Sequence, residues 1–205
     1  MITKHVYTTF DDAYKFFNEK LFDGALPDCL ITLQRTARSR GHFSPERFKK
    51  REGNDVIHEL NMNPDSFVDR TDEEILSTMV HELVHVWQES FGNPPRKCYH
   101  NKEWAVQMEA VGLMPSSTGE YGGKKTGQSM THYIMDDGKF KLHCGAFLLK
   151  NALDWESIVF LKLKKQRNKT REKFVCPTCL QNAWAKKTAN IMCGNCEIHM
   201  TIDSE

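Results

Sequence analysis

The chain has 205 residues, 40% hydrophobic and 27% charged, ordinary proportions for a globular protein with room for one well-cored domain and a small second module. These figures exclude a disordered chain. The N-terminal MITKHVYTTFDDAYKFF meets charge at Lys4 and again at Asp11, so neither a signal-peptide core nor a membrane span is expected and the cytoplasm is the expected compartment. Net charge is +1, but residues 1–115 carry 14 Lys+Arg against 18 Asp+Glu (−4) while residues 116–205 carry 14 against 9 (+5), an asymmetry that turns the C-terminal half toward a polyanion.

In chain order, TFDD at 9–12 reads as a helix start, and Ala13, Phe16, Phe17 and Leu21 then recur at helical spacing until Asp23-Gly24, which predicts a first helix over residues 10–22. LITL at 30–33 and VIHEL at 56–60 are short, β-prone and bounded by Pro, Gly and Asn; they read as strands, with RGHF at 40–43 a third. TDEE at 71–74 is a capping box, Thr71 capping the helix and Glu74 reaching back. The helix it opens is expected to run to Phe91, ended by Gly92 and Pro94-Pro95. A further helix is expected from His100-Asn101 to Gly112, with Trp104, Met108 and Val111 on its inner face. Residues 115–125 turn to Ser, Thr and Gly, which places a domain boundary there. Residues 154–165 fit a helix and a strand equally well.

HELVH at 81–85 falls in the middle of the capped helix. His81 and His85, four residues apart, share one helix face and can take two corners of a zinc tetrahedron, with Glu82 offset beside them as a base for water. A buried helix would carry the apolar stripe Ile75, Met79, Leu83 and Val86 or Trp87 with or without metal. Two histidines and an acid next to that stripe are expensive to bury unless something engages their polar atoms, and a metal does so. The pattern H-E-x-x-H-x-x-G-x-x-H is excluded, because Gln88 and Phe91 stand where it needs Gly and His. Spacing leaves His100, Glu103 and Glu109 open as third ligand. Tyr99 and Tyr121 are oxyanion candidates by residue type alone, and Cys98 is a thiol close to His100.

The seven cysteines are an odd number in a chain without a secretion signal, and four of them form two C-x-x-C pairs, which favours metal thiolates over disulfides. Cys176 and Cys179, with Cys193 and Cys196, enclose 13 residues, the arrangement of two zinc knuckles. Four thiolates close a tetrahedron with no position left for water, so this site is expected to be structural. KLKKQRNKTREK at 162–173 holds seven basic residues against one acid. Lys162, Lys164, Lys165, Arg167, Lys169 and Arg171, with Trp184 and Lys186 in the ribbon, are candidate phosphate and base contacts; the competing reading is a solvated linker and a tryptophan packed internally.

HELVHVWQESFG, followed by HNKEW at 100–104 with His100 fifteen residues after His85, closely resembles the SprT-like metalloproteases. In that family the third ligand is a histidine opening the next helix in a His-Gly-x-Glu-aromatic setting. Asn101 replaces the glycine here, while Glu103 and Trp104 fit, and HELNMNP at 58–64 resembles the family's stretch before the active-site helix. The resemblance, over about residues 8–112, implies His81, His85 and His100 as zinc ligands and Glu82 as the catalytic base. FVCPTC…AWAK…IMCGNC looks like the C-terminal ribbon common in bacterial and phage members, and the family is linked to cleavage of proteins attached to DNA. The longer eukaryotic Spartan proteases carry recruiting tails, and their regulation is not expected to transfer.

The expected architecture is α+β: a zincin-like metalloprotease domain over residues 1–115, a basic connector over 116–170 and a zinc ribbon over 171–205. The expected protein is a monomeric, DNA-associated zinc endopeptidase with two zinc ions, acting on protein substrates, with the strand at 58–61 offered to an extended substrate. Two rivals are a nucleic-acid-binding protein with a vestigial HELVH site and a zinc peptidase with no nucleic-acid role.

Overall fold

Asp23 takes a left-handed conformation (φ 55°) that ends a first helix, α1 (Ile2–Phe22), at the predicted place. Its start is eight residues earlier than expected. Thr9 does not cap, because its hydroxyl donates to the His5 carbonyl one turn back (3.0 Å) and the helix runs through it. In the computed structural model, residues 1–155 and 171–203 are described; they fall in two compact units, one within 1–159 and one within 160–205. The architecture is mixed helix and sheet, with four helices and small sheets among the described residues.

Three strands follow α1: β1 (Cys29–Leu33), β2 (Gly41–Lys49) and β3 (Val56–Met62). β3 is central, parallel to β1 and antiparallel to β2, with a register shift in β2 between Ser44 and Phe48. The third strand is therefore longer than RGHF, and the stretch 58–61 has both its edges occupied. It is not available to a substrate. β1 and β2 are the edge strands of this sheet, each paired on one side only.

The capping box forms as expected: Thr71 Oγ1 accepts from Glu74 N (3.2 Å) and Glu74 Oε2 from Thr71 N (2.8 Å), opening α2 (Asp72–Phe91) with three acids against its positive end. Ile75, Leu76, Met79, Val80, Leu83, Val84 and Val86 are buried, so α2 is the core helix of the unit. α3 (Lys102–Val111) is capped by Asn101, which accepts from Trp104 N (3.0 Å), and ends at Gly112 in a left-handed conformation (φ 93°). Trp104, Met108 and Val111 are buried on its inner face.

The unit does not end at 115. β4 (Leu113–Ser116) and β5 (Thr131–Ile134) form a hairpin around the Ser/Thr/Gly stretch, and α4 (Lys139–Leu148) then returns to the core. Phe140 of α4 stacks on Phe17 (centroids 5.6 Å), and Phe147 packs on Phe16 and Phe17. Leu153 N donates to Asp72 at the start of α2 (3.0 Å), and His5 meets Asp154 (2.9 Å). The expected connector over 116–170 therefore gives up its first forty residues to the first unit, because Phe140, Cys144 and Phe147 fill that core.

The second unit contains β6 (Glu172–Val175), β7 (Asn182–Ala185), β8 (Met192–Cys193), β9 (Ile198–His199) and β10 (Thr201–Ile202), in sheets ordered β10-β6-β7 and β8-β9. Its buried apolar residues are only Phe174, Cys176, Cys193 and Met200 among the described residues. All but the first two residues of the ambiguous stretch 154–165, and most of the basic run, lie outside the described residues. No described helix is long and apolar enough to cross a membrane.

Candidate metal centre

α2 brings His81 and His85 to one face, their ring centroids 5.2 Å apart, and the turn before α3 brings His100 against them, 5.4 Å from His81 and 4.9 Å from His85. One nitrogen from each of the three lies within 4.8 Å of the other two. Trp104, one turn into α3, backs all three rings at 4.3 to 5.6 Å. The apolar wall and the capped helices hold the imidazoles in place.

The donor chemistry fits a metal. Burial, and then the neighbouring imidazoles, push His81 well below the usual histidine range; burial followed by the proximity of His100 takes His85 down to about 3, and burial lowers His100. Neutral imidazoles are the ligating form. His100 Nδ1 lies 3.2 Å from the Gly127 carbonyl, which only accepts, so Nδ1 carries the proton and Nε2 keeps its lone pair. That Nε2 faces His85 Nε2 at 3.1 Å. Two lone pairs so close repel unless a cation, or a proton on one of them, lies between.

Glu82 is buried and does not join the three-nitrogen cluster. Burial pushes its carboxyl up to about 8, against the pull of a hydrogen bond from the Phe43 backbone. A cation on the neighbouring imidazoles would favour the carboxylate instead. The contact places Glu82 beside β2, and Gly41 also runs close to it: a Cβ there would meet the Asn61 carbonyl at 2.8 Å and the Glu82 Cγ at 3.5 Å.

The other third-ligand candidates are engaged elsewhere. Glu103 accepts from Gln88 Nε2 (2.6 Å) and Asn93 N (2.8 Å), tying the end of α2 to α3, and Glu109 pairs with Lys125 (2.8 Å). Asn101, which replaces the glycine of the family pattern, caps α3 and accepts from Gln88 Nε2 (2.8 Å), so the same side chain fixes both helices. Cys98 is exposed and outside the cluster. Tyr99 packs under Arg96, and Tyr121 is 94% exposed along a surface cavity of about 290 Å³.

Sequence reasoning missed His132. It lies on β5, with Nδ1 3.2 Å from His81 Nδ1 and Nε2 2.9 Å from Ser77 Oγ. Burial, then the Arg70 and Arg40 charges, take it down to about 3, so the ring is neutral. A signal was present: Met130 and Ile134, each two residues from His132, are apolar and pack on the core, the alternation of a half-buried strand. That alternation is short, and the Ser/Thr/Gly composition just before it masks it as connector.

In the second unit the sulfurs of Cys176, Cys179, Cys193 and Cys196 lie within 4.8 Å of one another, an arrangement compatible with a zinc ribbon. Leu180 and Glu197, each just after the second cysteine of a pair, are left-handed (φ 60° and 55°) and donate back to the carbonyls of Cys176 and Cys193 (2.9 and 2.8 Å). Without a cation the sulfurs do not ionise together: the Cys179 backbone N–H pulls Cys176 down to about 6, while the Cys179 thiol pushes Cys196 up to about 12. Trp184 is 61% exposed on β7, and Arg171 and Lys186 are exposed. The tryptophan does not pack internally. Lys162, Lys164, Lys165, Arg167 and Lys169 lie outside the described residues.

A mixed helix-and-sheet unit that gathers three neutral imidazoles beside a buried glutamate has the donor set of a metal-dependent hydrolase. Residues 10–127 match the model of the SprT-like family, more than half of the chain, and the chain belongs to that family. Membership supports an SprT-type peptidase at the level of the family. A relative from Salmonella typhimurium, described as an uncharacterized protein in the mucB 3' region, is 48% identical over 58 residues, covering 28% of this chain and 78% of the relative. No solved structure matches the chain.

Proposed function

We propose that this chain is a DNA-associated zinc endopeptidase with a zincin-like catalytic unit, acting on proteins bound or crosslinked to DNA. The observation that carries the reading is the buried Glu82 next to three neutral imidazoles converging from two helices. His81, His85 and His100 would hold the zinc, and the four cysteines a second, structural one. Bound there, zinc supplies Lewis acidity, acidifying water and polarising a carbonyl.

The chain's own groups do the rest. Glu82 takes the proton of the attacking water and returns it to the leaving amine. β2, unpaired on one side of its sheet and touching Glu82 through the Phe43 backbone, offers main-chain hydrogen bonds to an extended substrate. Recognition through backbone makes cleavage depend on how flexible the substrate is more than on its sequence. Trp184, Arg171 and Lys186, with the basic run at 162–169, bring the protease to nucleic acid.

Digestion of a DNA-binding protein, with and without DNA, tests the proposal. Faster cleavage with DNA is expected. Cleavage indifferent to DNA would leave a zinc peptidase with no nucleic-acid role, and none at all under zinc-replete conditions would leave a binding protein with a vestigial site.

A further inference from the structure

We infer that His132 is a positioning residue that selects the tautomer of the ligand His81 through a proton chain anchored in α2. The inference rests on the metal site proposed above and lies outside the stretch that the SprT-like family matches, which ends at residue 127. The chain of contacts begins at the Glu74 carbonyl, which accepts from Ser77 Oγ (2.8 Å). With its one hydrogen committed there, the Ser77 hydroxyl meets His132 Nε2 (2.9 Å) as an acceptor, so Nε2 is the protonated nitrogen of the neutral His132 ring. His132 Nδ1 is then a lone pair, and the hydrogen between it and His81 Nδ1 (3.2 Å) belongs to His81. That leaves His81 Nε2 unprotonated and available to a metal.

Each link fixes the direction of the next. Ser77 and His81 are one turn apart on α2, so the helix orders its own ligand through a side chain borrowed from β5. His100 reaches the same state more directly, from the Gly127 carbonyl. Two of the three ligands are thus set by the segment 117–134, where β5 and the turn before it return to the helices. Without His132 the His81 ring is free to carry its proton on either nitrogen and to rotate, and metal affinity falls with the fraction of time it is misaligned.

The test uses the full chain with the four-cysteine site filled. Zinc affinity at the histidine site is measured by competition with a chromophoric chelator, and the His81 tautomer by 15N imidazole NMR of the zinc-free histidine site. His132→Phe keeps an aromatic ring but removes both nitrogens, and should weaken zinc by about 10- to 100-fold. Ser77→Ala, which removes only the anchor, should produce a smaller loss, and His132→Gln, whose amide accepts on one side and donates on the other, should recover most of the affinity. The wild-type His81 should be protonated on Nδ1. Wild-type affinity in His132→Phe, or a His81 proton on Nε2, would overturn the inference while leaving the zinc site in place. A wild-type chain that takes no zinc at the histidines fails differently, since the site itself is then wrong. Should His132→Phe not fold, Ser77→Ala and the wild-type tautomer still decide.

Discussion

His100 and Gly127 exchange both backbone hydrogen bonds, 2.8 Å from His100 N to Gly127 O and 3.1 Å in return, and the same Gly127 oxygen accepts from the His100 ring at 3.2 Å. One carbonyl therefore sets both the backbone and the tautomer of the third imidazole. Gly127 has φ 153°, a conformation side chains rarely adopt, and a Cβ there would touch Met130 Sδ at 3.4 Å. Gly127→Val should displace the carbonyl, at a strain of about 1–3 kcal/mol, and weaken zinc at the histidine site without affecting the cysteine site. Zinc counted per chain after mild chelation reads the difference; two zinc ions retained as in wild type would show that His100 needs no such partner.

Glu82→Gln keeps size and hydrogen bonding and removes the proposed base. Peptide cleavage should fall by several orders of magnitude, with zinc content and melting temperature almost unchanged because Glu82 stands outside the ligand cluster. Loss of zinc along with activity would instead make it a ligand.

Phe140 is fully buried against Phe17 on the far side of the boundary expected at 115. Phe140→Ala should cost about 3–5 kcal/mol of stability in the first unit, read by denaturant unfolding. A chain cut after 115 also loses Phe147 and the β5 strand, and should not fold cooperatively, whereas one cut after 159 should. A stable 1–115 fragment would restore the boundary at 115.

The sequence made local instructions readable and long-range ones much less so. Thr71 and Glu74 form a capping box whose parts are three residues apart, and the HELVH helix could be placed from it. Asp23, Gly92 and Gly112 likewise end their helices where composition says they should. The order of β1, β3 and β2 is another matter: it depends on a parallel pairing between strands more than twenty residues apart, so the strand that the sequence offers to a substrate turns out to be the central one. Thr9 shows the converse error, a residue with capping chemistry used for a bond inside the helix. The third member of the histidine cluster is legible only by likeness, since Glu103 and Glu109 are distinguished from His100 by Gln88, Asn93 and Lys125, partners no spacing rule names.

The second unit has four buried apolar residues among those described, two of them cysteines, so the metal proposed for its cysteines is expected to supply most of its folding free energy. Strong chelation should unfold it while the first unit, with its own core, keeps its helices. The histidine site should release zinc first, because three ligands leave a coordination position open where four thiolates do not. Circular dichroism alongside metal release follows both steps. Simultaneous loss of both ions would contradict the assignment of one open and one closed site.

DNA binding is expected to divide between charge and stacking. Reversing Lys164, Lys165, Arg167 and Lys169 to Glu should weaken duplex binding and flatten its salt dependence by about 0.9 in the log–log slope for each phosphate left unneutralised. Trp184→Ala should behave differently. Its ring is 61% exposed and lies opposite Lys173 in the β6–β7 register, so it has a free face for a base, and its removal should cost single-strand affinity about 1–3 kcal/mol with little change in the salt slope. Neither change touches the proposed ligands, so zinc content and cleavage of an unfolded peptide without DNA should survive both. Charge reversal that leaves the slope at its wild-type value would remove the basic run from the interface, and an unaffected Trp184→Ala would make the exposed ring a bystander; if both held, DNA would have no demonstrated place on this half of the chain.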